Sequence, residues 1–212
     1  RAAQSAPDGE VRLLLEDRVE LPRLYLAWHS PALFAPGDAE MVILSTALAN
    51  GKTSRLYRAL VYDRRIATDV VAAQSSRELS GFFQLVATAA PGHDLQELDT
   101  AISEEIDRLI ASGAAADEQE RGLAQAEAHF VYRLQTVGGF GGKSDQLNAY
   151  NVFLDDPGYF ERDLSRYREL TLERLQAAAA RHLPRGRRVT LSVVPRGRAG
   201  LAVPGSGPVV VS

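Results

Sequence analysis

Residues 68–73 (TDVVAA) and 81–89 (GFFQLVATA) are two β-rich runs separated by a short polar turn, and they constrain the fold more than any other stretch. Val, Phe, Thr and Leu suit a pleated surface, and a connection this short favours pairing the two runs as an antiparallel hairpin. After them no strand pattern returns until residues 188–194 (RVTLSVV), and the long stretch between is helical in pattern. Strands and helices therefore do not alternate one for one, which argues against a doubly wound parallel sheet. The expectation is an α+β domain, an antiparallel sheet with helices packed on one face.

The remaining segments fit that frame. Residues 1–10 are small and polar and read as a linker. Residues 11–15 form a short apolar run, an edge-strand pattern, and residues 23–29 a fuller strand entered through Pro22, which cannot donate to a ladder. A loop with two prolines leads to Asp38, in position to cap a helix over 39–49. A second helix is expected over 54–63. Asp94 and Glu97 make a capping-box-like start, and Leu95, Leu98, Ile102, Ile106, Leu109 and Ile110 recur at helical spacing up to Gly113. Asp117 with Glu120 repeats the start signal before the stripe Leu123, Ala126, Phe130, Leu134 and Val137. Helices are expected again over 144–154, 159–168 and 171–183, the last capped by Thr171. Residues 196–212 are Gly/Pro-rich and read as a second linker, leaving 11–195 as one domain.

Composition narrows the function classes. A net charge of −3 over 212 residues, with scattered Lys and Arg, gives no footprint for nucleic acid. There is no apolar run long enough to span a bilayer and no signal peptide, and the chain starts at Arg1, as expected for a piece of a longer protein. Without cysteine, disulfides, thiolate metal sites and a Cys nucleophile are excluded.

Several stretches invite a chemical reading. Gly51-Lys52-Thr53 looks like the end of a phosphate-binding loop, but the leading Gly of G-x-x-x-x-G-K-[ST] should stand where Thr46 does, and a helix rather than a strand runs into it. The alternative is a helix–turn–helix corner, with Gly51 in the left-handed region and Thr53 or Ser54 capping the next helix. His29, His93, His129 and His182 are isolated from one another, so no helical H-x-x-x-H pair exists, and no G-x-S-x-G elbow is present. His29, in a strand, is expected to be partly buried. Arg185, Arg187 and Arg188 flank the last strand and read as a solvated edge guard, with an anion-binding patch as the alternative. Glu104, Glu105 and Asp107 are expected on the solvated side of their helix. Gly138-Gly139-Phe140-Gly141-Gly142-Lys143 breaks a helical tract; it is either a plain loop or a hinge where another backbone comes close. The candidate substrate- or partner-facing residues are Gly51 and Lys52 together with Gly138, Gly139, Phe140, Gly141, Gly142 and Lys143.

The segments taken together resemble one domain of the pitrilysin / insulinase / mitochondrial-processing-peptidase family of zinc metallopeptidases. The resemblance rests on Gly51-Lys52-Thr53-Ser54-Arg55-Leu56-Tyr57-Arg58-Ala59-Leu60 as a G-x-x-S-R-L-x-x-x-L segment. It rests also on the strand, turn and long helix of 81–110, on Asn148-Ala149-Tyr150 through Asp156-Pro157, and on Thr171-Leu172-Glu173 through Pro195. It implies an α+β domain paired with another that carries H-x-x-E-H, where zinc activates water for peptide hydrolysis. H-x-x-E-H is absent from this sequence, so the chain is similar to the family's non-catalytic domains. The resemblance thus implies no cofactor in this chain, zinc in a catalytic partner domain of the same or another chain, and no activity alone. A peptide substrate is implied for the parent, while an inactive assembly subunit of the same fold is the alternative. The family's habit and the lack of cysteine suggest a bacterial periplasmic, envelope or secreted setting. A substrate clamp of Arg and Tyr found in the family would fall at Val61 and Thr68, and neither residue can supply it.

Overall fold

The computed structural model describes residues 7–138 and 141–209. Strands β1 (Val11–Asp17), β2 (Arg23–Ser30), β3 (Ala67–Ser76), β4 (Gly81–Ala89), β5 (Arg188–Pro195) and β6 (Gly207–Pro208) form one sheet in the order β3-β4-β2-β5-β1-β6. The helices are α1 (Asp38–Ala49), α2 (Leu95–Ser112), α3 (Ala116–Gln135), α4 (Lys143–Leu154), α5 (Phe160–Arg168) and α6 (Leu172–His182), with a π-helical turn at Tyr57–Asp63. None of the described helices is long and apolar enough to cross a membrane.

The hairpin expected from 68–73 and 81–89 forms, with Val71 opposite Val86 and Ser76 opposite Gly81. The class is α+β as expected, but the sheet is mixed rather than wholly antiparallel. β1 runs parallel to β5, Val11 beside Val189 and Leu15 beside Val193, and β6 pairs parallel to β1 at Leu13 and Leu14. Strand direction between partners so far apart in sequence is set by tertiary packing, which a local pattern of apolar residues does not encode. β1 is accordingly not the outermost strand.

Alternation divides the sheet into two faces. Leu24, Leu26 and Trp28 of β2, with Phe83, Leu85 and Ala87 of β4, point into the core against Met41, Leu44 and Leu48 of α1 and Leu98, Ile102 and Leu109 of α2. On the opposite face the register aligns Val71, Val86, Tyr25, Leu191 and Leu13 in one row across five strands. These side chains are partly or largely exposed.

The helix boundaries reflect local chemistry. Asp94 accepts a hydrogen bond from Glu97 N at the start of α2, Gly113 ends it at φ 76°, and Thr171 accepts from Arg174 N at the start of α6. Two starts differ from expectation. α1 begins after Gly37 at φ 96°, and Asp38 is its first helical residue rather than its cap. α3 begins at Ala116, where Glu118, rather than the expected Asp117, organises the start by reaching back to Ala115 N at 2.8 Å.

α1 and α3 cross closely at Gly122, where an added Cβ would stand 2.9 Å from Ile43 Cγ2. Gly122→Val is therefore expected to lose about 1–3 kcal/mol through overpacking. Urea unfolding of the variant checks this, and an unchanged midpoint would mean that Ile43 yields without cost.

Both stretches with linker composition lie against the sheet within the described residues. Glu10 accepts hydrogen bonds from Arg188 Nε at 2.8 Å and Thr190 Oγ1 at 3.0 Å. Val203 is buried, its N–H donates to Ser192 Oγ at 3.1 Å, and Val209 N donates to Leu14 O at 2.8 Å. The inner face of β5 carries Arg188, Thr190 and Ser192, all buried, and these flanking segments supply partners for them.

Candidate functional site

Gly51 adopts φ 84° at an exposed corner, as expected for the end of the first helix, and Lys52 beside it is exposed. The next turn of chain is not an ordinary helix. Ser54 is buried and its hydroxyl donates to Gly51 O at 2.7 Å, so it closes the corner instead of capping a helix. The chain then winds as a π-helical turn, with Arg64 N donating to Ala59 O at 3.1 Å.

The S-R-L segment has an architectural role. Arg55 holds both carboxylate oxygens of Glu118 at 2.7 Å and donates to Gly113 O at 3.0 Å, so one guanidinium ties the end of α2 to the start of α3. Leu56 and Leu60 are fully buried beneath it. Val61 packs against the core, and the Thr68 hydroxyl donates to Thr88 O at 3.4 Å; neither offers a guanidinium or a phenol.

Gly138 is exposed, and Gly141 has φ 79° with its N–H donating to Asp145 and its carbonyl accepting from Arg133 Nε at 3.0 Å. At Gly142 a Cβ would stand 2.8 Å from the carbonyl oxygens of Thr136 and Gly138, so the loop folds back closely on its own backbone there. Lys143 N closes the loop onto Thr136 O at 2.7 Å. Gly139 and Phe140 lie outside the described residues. No hydrogen bond among the described residues links this loop to Gly51 or Lys52.

Two buried polar networks were not anticipated. In the first, Asp38 accepts from Phe34 N at 3.0 Å and Ser76 Oγ at 2.5 Å and pairs with Arg166 at 2.9 Å. Arg166 also pairs with Asp163 at 2.7 Å, and the Tyr150 hydroxyl donates to Asp163 at 2.7 Å while accepting from Gln146 Nε2 at 2.8 Å. Burial pushes the Asp163 carboxyl up, against the pull of the Tyr150 hydroxyl and the Arg166 guanidinium. Burial and the neighbouring Asp163 raise Tyr150 as well, so the phenol keeps its proton and works as a donor. Phe34, Phe130, Tyr150 and Tyr167 line a cavity of about 270 Å3 beside this network. His129 stands at its side, held below its ordinary value by burial and by Arg133.

The second network corrects the reading of the basic cluster at the last strand. Arg188 is not a solvated guard; it is 1 % exposed and pairs with Asp99 at 2.7 Å and Glu10 at 2.8 Å, donates to Ser103 Oγ, and stacks over Trp28. Burial pushes Asp99 up, opposed by Arg188 and Arg185. The usable sequence signal is position: Arg188 shares the inward face with Thr190 and Ser192, and an inward arginine needs carboxylates. Glu105 is buried too, paired with Arg108, while Glu104 meets Arg64 at the surface. Of the histidines, His29 is exposed and His182 half-buried, the reverse of the expectation for His29. Among the described residues no group of three His, Cys, Asp or Glu side chains could hold a metal ion.

The model of the peptidase M16 inactive domain matches residues 2–126, more than half of the chain. The chain belongs to the peptidase M16 inactive-domain family. An uncharacterized zinc protease of Streptomyces coelicolor is 29% identical over 159 residues, covering 73% of this chain and 32% of its own length. Among solved structures, a protease from Helicobacter pylori superposes with a TM-score of 0.77 at 20% identity, over 89% of this chain and 45% of its own. A peptidase M16 inactive domain from Pseudomonas fluorescens superposes at 0.75 and 17% identity, over 97% and 46%. This M16 inactive domain thus spans a third to a half of the length of these relatives. Their bacterial origin fits the family's bacterial character expected from the sequence.

Proposed function

We propose that this M16 inactive domain is a non-catalytic, structural and substrate-chamber part of a larger zinc peptidase that cleaves peptides or unfolded protein segments. The observation that carries the reading is the match of residues 2–126 to the inactive domain, in a sequence without H-x-x-E-H. The zinc belongs, on this reading, to a catalytic partner domain in the same chain or another, where it would activate water. The row of Tyr25, Val71, Val86, Leu191 and Leu13 supports it, since a sheet face this apolar suits a packed neighbour. So does the use of polar residues: Asp38, Asp163, Arg166 and Arg188 are consumed by ion pairs that hold helices and strands in place. The exposed corner at Gly51 and Lys52 and the loop carrying Gly138, Gly141, Gly142 and Lys143 are the proposed substrate- or partner-facing positions.

The purified 212-residue chain is expected to bind zinc at well below one equivalent by metal analysis and to leave unfolded peptides intact. Adding a catalytic domain that carries H-x-x-E-H should raise peptide cleavage above that domain's own rate. Stoichiometric zinc on the isolated chain, or peptidase activity that a chelator abolishes, would sink the proposal.

A further inference from the structure

A separate cleft of about 410 Å3 opens where β2 runs into the loop 31–37 and α6 runs into β5. His29, Arg181, His182 and Arg187 line it, and no Asp or Glu is among its described lining residues. Several arginines of this chain are matched with carboxylates: Arg55 with Glu118, Arg166 with Asp38, Arg188 with Asp99. Arg181 and Arg187 have no hydrogen-bond or ion-pair partner for their side chains among the described residues. Two cations lining one cleft repel, and a protein of net charge −3 has carboxylates to spare for neutralising them.

The walls are rigid. The Trp28 indole N–H donates to Pro184 O at 3.1 Å, and Arg187 N donates to the same carbonyl at 3.2 Å. The next residue, Arg188, is locked in the buried network with Asp99 and Glu10. The turn that presents Arg187 is therefore fixed on both sides. Across the cleft, Gly37 brings the loop onto His182: a Cβ there would stand 3.2 Å from His182 Nε2 and 2.9 Å from Pro31 Cγ. Ser30 also lines the cleft, and its buried hydroxyl has no partner among the described residues.

We propose that this cleft is an oxyanion site, which takes a carboxylate or phosphate group between Arg181 and Arg187 with His29 and His182 as further donors. The planar guanidinium fork of each arginine matches both anions, and the backbone turn that presents Arg187 is already tied to Pro184 O. The chemistry has two sources, the free terminal carboxylate of a peptide and inorganic phosphate. The site does not depend on whether the domain belongs to an active peptidase. Its electrostatics supply an independent readout. Burial, with the charges of Arg181 and His29, holds His182 below its ordinary value, and Glu40 offsets this only in part. With Arg187 lining the same cleft, a seated anion counters the positive charges and raises the His182 value.

The test is an NMR titration of the histidine side chains in the 212-residue chain at low ionic strength, where surface charge is least screened. The probes are inorganic phosphate, a short peptide with a free C-terminus, and the same peptide amidated. Saturable shifts of His29 and His182 are expected, with the His182 pKa raised in the complex. Binding by the free-acid peptide but not its amide assigns the site to a peptide carboxylate; binding by phosphate alone assigns it to tetrahedral oxyanions. The Arg181→Gln, Arg187→Gln double variant changes only exposed side chains, and its affinity should fall about tenfold or more. Absence of a saturable shift with either anion, or equal affinity in the double variant, would overturn the proposal.

Discussion

Arg188→Ala is expected to lower the stability of the domain by about 3–5 kcal/mol, measured by urea unfolding. The change removes the cation in direct contact with Asp99, which is fully buried, and it withdraws a donor from Glu10 and from Ser103. Among the described residues Asp99 then keeps one ion-pair partner, Arg185, at 3.8 Å and half exposed, so the carboxylate must take up a proton or draw in water. Pairing Arg188→Leu with Asp99→Leu should cost clearly less than the two single changes summed, because neither charge is left alone in the double variant. A loss under about 1 kcal/mol for Arg188→Ala would mean that the network behaves as an exposed ion pair and that β5 is held by its apolar residues alone.

Asp38→Ala is the second large effect, expected at about 3 kcal/mol in the same measurement. Its carboxylate joins the loop at Phe34, the end of β3 at Ser76, and α5 through Arg166. Phe34 sits at φ 63°, a left-handed conformation that bulky residues rarely hold, and Asp38 accepts its N–H. Loss of Asp38 therefore releases a strained loop as well as an ion pair. Asp38→Asn keeps an acceptor for Phe34 N and should recover part of the loss; if it unfolds as readily as the alanine variant, the charge on Arg166 is what matters.

Local features were legible in the sequence where local chemistry decides them. β4 runs over Gly81–Ala89 as expected, and α2 starts on Asp94 and stops at Gly113, because a side-chain cap and a left-handed glycine act over a few residues. The parallel partner of β1 was not legible, since Val11–Asp17 pairs with a strand at the far end of the chain. Arg188 failed for a related reason: its neighbours in sequence are Arg185 and Arg187 at the surface, while its partners are Glu10 and Asp99. Composition alone also gave no sign that, within the linker-like residues 196–212, Val203 is buried and donates its N–H to Ser192 of β5. The basic cleft could have been glimpsed only by noticing that His29, Arg181 and Arg187 stand at the ends of elements that meet.

The pairing of β1 with β5 also sets an order of events during synthesis. Glu10 and Arg188 are 178 residues apart, whereas β2, β3 and β4 are all present once Ala89 has been made. Three strands and α1 can assemble early, but β1 has no ladder to join until β5 emerges. Until then Leu13, Leu14 and Leu15 remain on a strand with open edges, which makes the nascent domain sticky at its own beginning. A chain cut off before residue 188 would keep the neighbours β3, β4 and β2 but would leave β1 without the strand it pairs with.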